Sequence, residues 1–190
     1  MLNFLARAAI DSVDWSGPWI PNDDSAAAAK IPELFEQLST ASDEREAVRA
    51  WNALRNSVIF AGDGLRPWSV DVVRVLLACL AGPLGGPVRV YVVDLLWEIG
   101  IDAWRDQFEP VESQISVRNV LSEAVWSLYA LLFQPDGKSR YLALDLIGYA
   151  ERDKGRLELY CHAIALNDDD SQVRQMALAT ADPDLRARYR

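Results

Sequence analysis

Apolar residues recur along most of this chain at spacings of three and four, which places them on one face of a helix. Seven segments show the pattern, within residues 31–38, 47–58, 70–80, 88–99, 117–132, 142–150 and 157–164. Residues 88–93 (VRVYVV) are rich in β-branched side chains, which also suits a strand. No second strand signal lies nearby to pair with them, so the sequence predicts a helix there and an all-α fold.

Two segments depart from the helical pattern. The first ten residues predict a short amphipathic helix, and the turn-rich stretch SVDWSGPWIPNDD follows it, so residues 1–24 form an N-terminal helix and turn-rich segment. Residues 101–110 (IDAWRDQFEP) follow a helix that we expect to end near Gly100. Their composition predicts an acidic and aromatic insertion.

An internal repeat connects the predicted helices. In each copy an apolar helix ends, a short loop rich in Asp, Pro or Gly follows, and an Arg then opens a helix rich in Ala and Leu. The four copies read LFEQLSTASDEREAVRAWNAL, VLLACLAGPLGGPVRVYVVDLL, LYALLFQPDGKSRYLALDLI and AIALNDDDSQVRQMALATA. Their anchoring arginines are Arg49, Arg89, Arg140 and Arg174. Repeats of this size in an all-helical chain indicate stacked helix pairs, and a plain helical bundle is the alternative.

The order of loop Asp, Arg and Ala/Leu helix in NDDDSQVRQMALATA and QPDGKSRYLALDLIGYA resembles the HEAT-like repeat, over residues 31–181. This resemblance implies one HEAT-like domain over residues 1–190, folded as a short right-handed α-solenoid of about four helix pairs. It also implies that the loop acid caps the second helix and that the Arg bridges to a neighbouring repeat. Residues 51–80 (WNALRNSVIFAGDGLRPWSVDVVRVLLACL) are similar to a segment of small bacterial HEAT-like proteins, several of which are immunity proteins for secreted toxins.

Composition excludes several functional classes. The chain has 190 residues, 28 Asp and Glu against 19 Lys and Arg, a formal net charge of −9 and 51% apolar residues. The acidic excess argues against binding to nucleic acid or to an anionic membrane, and it suits a basic partner. The uncharged stretches are too short to span a bilayer, and Arg7 interrupts the first apolar run, which argues against a secretory signal. We therefore expect a cytoplasmic protein with no membrane or nucleic-acid partner.

Candidate catalytic groups are few. Cys161 and the only histidine, His162, are adjacent, so on a helix they project about 100° apart and cannot act together as nucleophile and base. Together with Cys79 they also fall short of a zinc site, and no phosphate-binding loop or nucleophile-elbow motif occurs. We expect no catalytic residue, no metal and no cofactor, and we expect Cys161 to be a buried structural thiol.

Two acidic clusters are the candidate partner-binding sites. The insertion combines apolar anchors with a charged rim, which is typical of binding surfaces. Its candidate residues are Asp102, Trp104, Asp106, Phe108 and Glu109. The last repeat turn contributes Asp168, Asp169 and Asp170, which we expect to cap the following helix and which can also meet a basic partner. The tryptophans within helical patterns are expected to fill the core, namely Trp51, Trp97 and Trp126.

These features predict a non-enzymatic protein-binding module. The family resemblance implies, more specifically, an immunity protein that neutralises a cognate toxin with a basic surface. Two alternatives stay open, a HEAT-like enzyme of the DNA glycosylase type and a structural scaffold subunit. The acidic balance and the lack of a Lys/Arg stripe disfavour the first of these.

Overall fold

A computed structural model describes residues 2–17, 25–60, 64–105 and 111–182. These ranges form eleven helices, namely α1 (Phe4–Asp11), α2 (Ser25–Ala28), α3 (Ile31–Thr40), α4 (Glu44–Val58), α5 (Ser69–Leu80), α6 (Gly86–Trp104), α7 (Glu112–Glu123), α8 (Val125–Leu131), α9 (Gly137–Ala150), α10 (Lys154–Asn167) and α11 (Ser171–Ala181). Between α4 and α5, β1 (Ile59–Phe60) pairs antiparallel with β2 (Gly64–Leu65). The predicted all-α class is confirmed, and the two-residue ladder is a local feature that the sequence pattern did not indicate.

Aspartates cap the N-termini of four of these helices. Each accepts a hydrogen bond from a backbone N–H of the first helical turn, which satisfies a donor that has no partner within the helix. The caps are Asp43 on α4, Asp136 on α9, Asp153 on α10 and Asp170 on α11. The predicted cap on the helix after the Asp168, Asp169 and Asp170 loop is confirmed, and Asp170 makes it.

Three helix boundaries test the apolar pattern. Helix α6 contains residues 88–93, so the prediction of a helix rather than a strand is confirmed there. The same helix continues through Gly100 to Trp104, so the expected end near Gly100 is wrong. The single helix expected over residues 117–132 is also wrong, because Ala124, with φ −88° and ψ 11°, separates α7 from α8.

The chain divides into two compact units, Met1–Val120 and Leu121–Arg190, with the boundary inside α7. In the first unit α1 packs on α5, α3 on α4, and α6 on both α4 and α5. Trp68 is completely buried there and its Nε1 donates to the Ser57 carbonyl at 2.9 Å. This unit therefore has its own apolar core.

The second unit has two layers of helices. Helix α9 packs against α8 and α11, and α10 packs against α11, so α8 and α10 form one layer and α9 and α11 the other. Apolar side chains of these helices are buried in the unit, among them Leu128, Leu144, Leu146, Ile147 and Ala177. The stacking of all helix pairs in one array over residues 1–190 stays a prediction. None of the described helices is both long and apolar enough to cross a bilayer.

Candidate functional site

The end of α6 carries part of the first predicted cluster. Asp102 is only 6% exposed, and its Oδ1 lies 3.3 Å from Nη1 of Arg105. Trp104 is the last residue of the same helix, and its side chain is half-buried. Asp102 thus differs from the expected rim residue, because the helix continues beyond Gly100 and turns this side chain inward. Asp106, Phe108 and Glu109 lie outside the described residues.

The second predicted cluster is built around a buried arginine. Arg140 donates from Nε and Nη2 to the two carboxylate oxygens of Asp168, at 2.9 and 2.8 Å, and from Nη2 to Asp169 at 2.6 Å. Burial alone would raise the pKa of Asp168, but the hydrogen bonds from Arg140 and from the Asp170 N–H outweigh it and hold that pKa below its usual value. Asp168 is therefore an ionised structural group rather than a free contact residue.

The three aspartates of this loop have different roles. Asp168 is nearly buried in its ion pair, and Asp170 caps α11 through the N–H groups of Gln172 and Val173. Asp169 is 91% exposed, and only one of its carboxylate oxygens bonds to Arg140 among the described contacts. Asp169 is thus the carboxylate of the cluster that an approaching cation can reach.

Arg140 and Arg174 are 34 residues apart and make the same local hydrogen bonds. Each donates from Nη1 to the carbonyls six and five residues before it, which are Gln134 and Pro135 in one case and Asp168 and Asp169 in the other. The capping aspartate stands four residues before each arginine. In the last two copies the repeated sequence pattern is therefore matched by a repeated set of hydrogen bonds.

A groove of about 540 Å³ lies between α9 and α11, next to the acidic loop. Apolar side chains line part of it, namely Leu142, Met176 and Ala179. Polar side chains complete the lining, namely Lys138, Tyr141, Gln172 and Gln175. Gly137 and Asp170 are in contact at one end of the same two helices, so the groove and the acidic loop adjoin. The size and mixed lining suit a side chain or a short segment of another molecule.

The opposite layer exposes apolar side chains that the sequence analysis missed. Trp126 and Phe133 on the α8 side are 57% and 80% exposed, and Leu159 and Leu166 on α10 are 69% and 68% exposed. The expected core role of Trp126 is therefore wrong. A signal was present in the sequence, because α8 and α10 carry apolar residues off the buried face as well as on it.

An aromatic and ionic cluster joins α8 to α10. The guanidinium of Arg156 lies 4.5 Å from the centre of the Trp126 ring, and the rings of Tyr129 and Tyr160 lie 4.5 Å apart. Arg156 also bonds both carboxylate oxygens of Glu151, at 2.6 and 2.7 Å. These hydrogen bonds hold the pKa of Glu151 at about 2. The cluster fixes the outer faces of the two helices next to each other.

The cysteines and the histidine are placed as expected for structural residues. Cys161 and Cys79 are buried, whereas His162 is exposed. Burial raises the pKa of the Cys79 thiol to about 12, so the reactive thiolate is suppressed at neutral pH. The prediction of a buried Cys161 is confirmed. Within the described ranges, no group of three or more His, Cys, Asp or Glu side chains is arranged to hold a metal ion.

Comparison with known protein families, with curated proteins and with solved structures finds no match to this chain.

Proposed function

We propose that this chain is a non-enzymatic protein-binding module, a cytoplasmic immunity protein that neutralises a cognate toxin with a basic surface. We further propose that its helix pairs stack as a short right-handed HEAT-like solenoid. The hydrogen bonds that Arg140 and Arg174 each donate to the carbonyls six and five residues before them support this proposal. The observation that carries the functional proposal is the groove between α9 and α11 with the acidic loop beside it.

The acidic loop is suited to receive a cation without rearranging. Hydrogen bonds within the loop and from Arg140 fix Asp168, Asp169 and Asp170 before any partner arrives. A preorganised surface loses less conformational entropy on binding than a flexible one. A Lys or Arg of the partner would meet the open carboxylate oxygen of Asp169, while an adjacent partner side chain enters the groove.

Charge supports the choice of a basic partner. The chain carries a formal net charge of −9, which attracts cationic proteins and raises their association rate. Glutamine and tyrosine at the rim of the groove supply hydrogen-bond donors and acceptors, and Met176 and Leu142 supply apolar contact. This combination favours a folded protein surface over a bare phosphate backbone.

The test is binding to the product of the adjacent gene, prepared in an inactive form and measured by calorimetry at low and high salt. We expect Asp169→Lys to weaken binding by about tenfold at low salt and by less at high salt, because added ions screen an exposed pair. The matched control is Glu158→Lys, which makes the same charge change at an exposed site on α10.

Three results would count against the proposal. The first is an adjacent gene product that does not bind the chain. The second is an equal effect of Asp169→Lys and Glu158→Lys, which would remove the acidic loop from the interface. The third is a shift of duplex DNA mobility by the chain at low salt, which would favour the DNA glycosylase alternative.

A further inference from the structure

Helix α11 forms one wall of the groove described above, and the chain continues directly from the end of this helix. Gln172, Met176 and Ala179 line the groove over most of the helix length. Asp182 follows the helix in an extended conformation, with φ −115° and ψ 107°. Pro183 comes next, and a proline favours that conformation in the residue before it and cannot continue a helix. The chain therefore leaves α11 next to one end of the groove.

Residues 183–190 (PDLRARYR), which lie outside the described residues, differ in composition from the rest of this acidic chain. They contain three arginines and one aspartate, whereas the whole chain carries −9. Apolar and cationic side chains alternate within them, in the order Leu185, Arg186, Ala187, Arg188, Tyr189 and Arg190. In an extended chain such alternation puts the apolar side chains on one side and the arginines on the other. We call residues 183–190 the basic segment.

We propose that the basic segment turns back at residues 182–184 and binds in the groove of its own chain. These three residues read DPD, and Asp and Pro are favoured in tight turns. Leu185 then packs on the apolar wall at Met176 and Ala179, and the last arginine reaches the acidic loop at the other end. The basic segment is thus an intramolecular ligand of the surface proposed above for the partner.

The length of the segment agrees with the length of the groove. From Ala179 back to Gln172 the helix covers about 10 Å, at about 1.5 Å per residue. From Leu185 to Tyr189 an extended chain covers about 13 Å, at about 3.3 Å per residue. The alternating residues can therefore follow the groove from its apolar end to the acidic loop.

The carboxylates around the groove suit a cationic segment. Asp169 is 91% exposed and accepts from Arg140 through one of its two oxygens, so Arg190 can donate to the other. Along α9, Asp145 lies close to Tyr141 in the groove lining, and burial together with the Asp145 charge raises the pKa of that tyrosine. Negative charge is therefore present at the end of the groove and along one wall.

Lys138 also lines the groove and would repel an arginine placed beside it. Because Gly137 contacts Asp170, the first turn of α9 is level with the first turn of α11, and Lys138 lies in that turn. The length comparison places Tyr189 at this level rather than an arginine. An aromatic ring attracts an ammonium group, so the alternation of the segment suits Lys138 as well as the acidic loop.

Occupation of the groove has a consequence that rests on the proposed function. A basic partner must displace the basic segment, which lowers its apparent affinity in proportion to the fraction of chains with an empty groove. The triple variant Arg186→Gln, Arg188→Gln and Arg190→Gln should therefore bind the adjacent gene product about threefold more tightly. Failure of that product to bind would contradict the proposed function alone, because the two tests below use the chain without a partner.

The first test locates the basic segment by cysteine cross-linking in the full chain at low concentration. Gln175→Cys with Ala187→Cys should form an intrachain disulfide under mild oxidation, because the proposed register places Ala187 midway along the groove. The matched control is Glu158→Cys with Ala187→Cys, since Glu158 is as exposed on α10 as Gln175 is on α11. The control pair should react at least about tenfold more slowly, because the bound segment is held away from it. The native Cys79 and Cys161 are buried and do not compete.

The second test measures trypsin cleavage after Arg186 and Arg188, relative to the free peptide PDLRARYR in the same solution. Cleavage of the unmodified chain should be slower than that of the peptide. Asp169→Asn removes a charge but keeps an acceptor for Arg140, and it should speed cleavage about threefold, the usual size for one exposed charge pair. Asp11→Asn makes the same change at an exposed residue of α1 and should leave the rate unchanged.

Four results would overturn the proposal. Two come from cross-linking, namely a control pair that reacts as fast as the groove pair and a groove pair that links two copies instead of one. The others are cleavage of the unmodified chain at the rate of the free peptide and equal rates for Asp169→Asn and Asp11→Asn. Circular dichroism checks that each variant is folded.

Discussion

At the scale of single residues, Arg140 shows how a charged side chain is tolerated inside the second unit. Two carbonyls accept from its Nη1, and the carboxylates of Asp168 and Asp169 accept from its Nε and Nη2. A buried charge is costly unless it is both paired and fully hydrogen-bonded. Arg140 meets both conditions, so it joins the loop before α9 to the loop before α11.

We expect Arg140→Gln to lower the free energy of unfolding by about 3 kcal/mol, because it leaves the nearly buried carboxylate of Asp168 without its partner. Arg174→Gln is the matched control. It removes the same two hydrogen bonds to loop carbonyls but no carboxylate contact in the described part of the chain, so its effect should be clearly smaller. Urea unfolding measures both, and equal losses would contradict a dominant role for Asp168.

At the scale of secondary-structure elements, the start of α9 depends on the cap of α11. A Cβ atom added to Gly137 would overlap Oδ2 of Asp170 and lie 3.0 Å from its Cγ. The same carboxylate holds the first N–H groups of α11. A side chain at position 137 would therefore push away the carboxylate that caps the N-terminus of α11.

We expect Gly137→Ala to lower the free energy of unfolding by about 1 kcal/mol, the usual value of a lost N-cap. Gly155→Ala, in the first turn of α10, serves as the comparison. Its new Cβ would lie an ordinary 3.5 Å from Asp153, so this change should be neutral or slightly stabilising. Thermal unfolding with hydrogen exchange at the start of α11 measures the difference. A Gly137→Ala variant with unchanged protection there would show that Asp170 can shift without losing the cap.

Periodicity predicted the helices well because each buries one apolar face. It located α6 despite its β-branched residues, and it failed where a local backbone feature decided the outcome, as at Ala124. It also failed at Trp126, because a helix with apolar residues on two faces does not show which face is buried. Capping aspartates were predictable from sequence since their bonds are local.

The candidate sites were less predictable than the helices. The sequence indicated the acidic loop but not the different roles of its three aspartates, because the contact between Arg140 and Asp168 spans 28 residues. Asp102 was wrongly predicted to be a rim residue. The prediction took Gly100 as the end of a helix that in fact continues to Trp104. The groove between α9 and α11 depends on packing, which no spacing along the chain reveals.

At the scale of the whole molecule, acid should unfold the chain through its buried ion pairs. Glu151 has a pKa of about 2 in the folded protein against an ordinary value of 4.5, because Arg156 bonds both of its oxygens. A lowered folded pKa adds stability that is present above the ordinary value and is lost as pH falls toward the folded value. Asp168, whose pKa is also lowered, acts in the same direction.

We therefore expect the free energy of unfolding to fall steeply as pH drops from about 5 to about 2. Glu151→Gln should be less stable at neutral pH and should lose part of this slope, because its amide cannot take up the proton. Urea midpoints measured across this range test the expectation. A Glu151→Gln variant with the full slope of the unmodified chain would assign the acid sensitivity to other carboxylates.

The exposure of Trp126 has a further consequence for how the molecule can be observed. Of the described tryptophans it is the exposed one, and a cation lies over its ring. Its indole emission should respond to a dissolved quencher while the buried Trp15 and Trp68 are shielded. The chain thus carries its own optical reporter on the exposed face of α8, and any change at that face can be followed by light without attaching a dye.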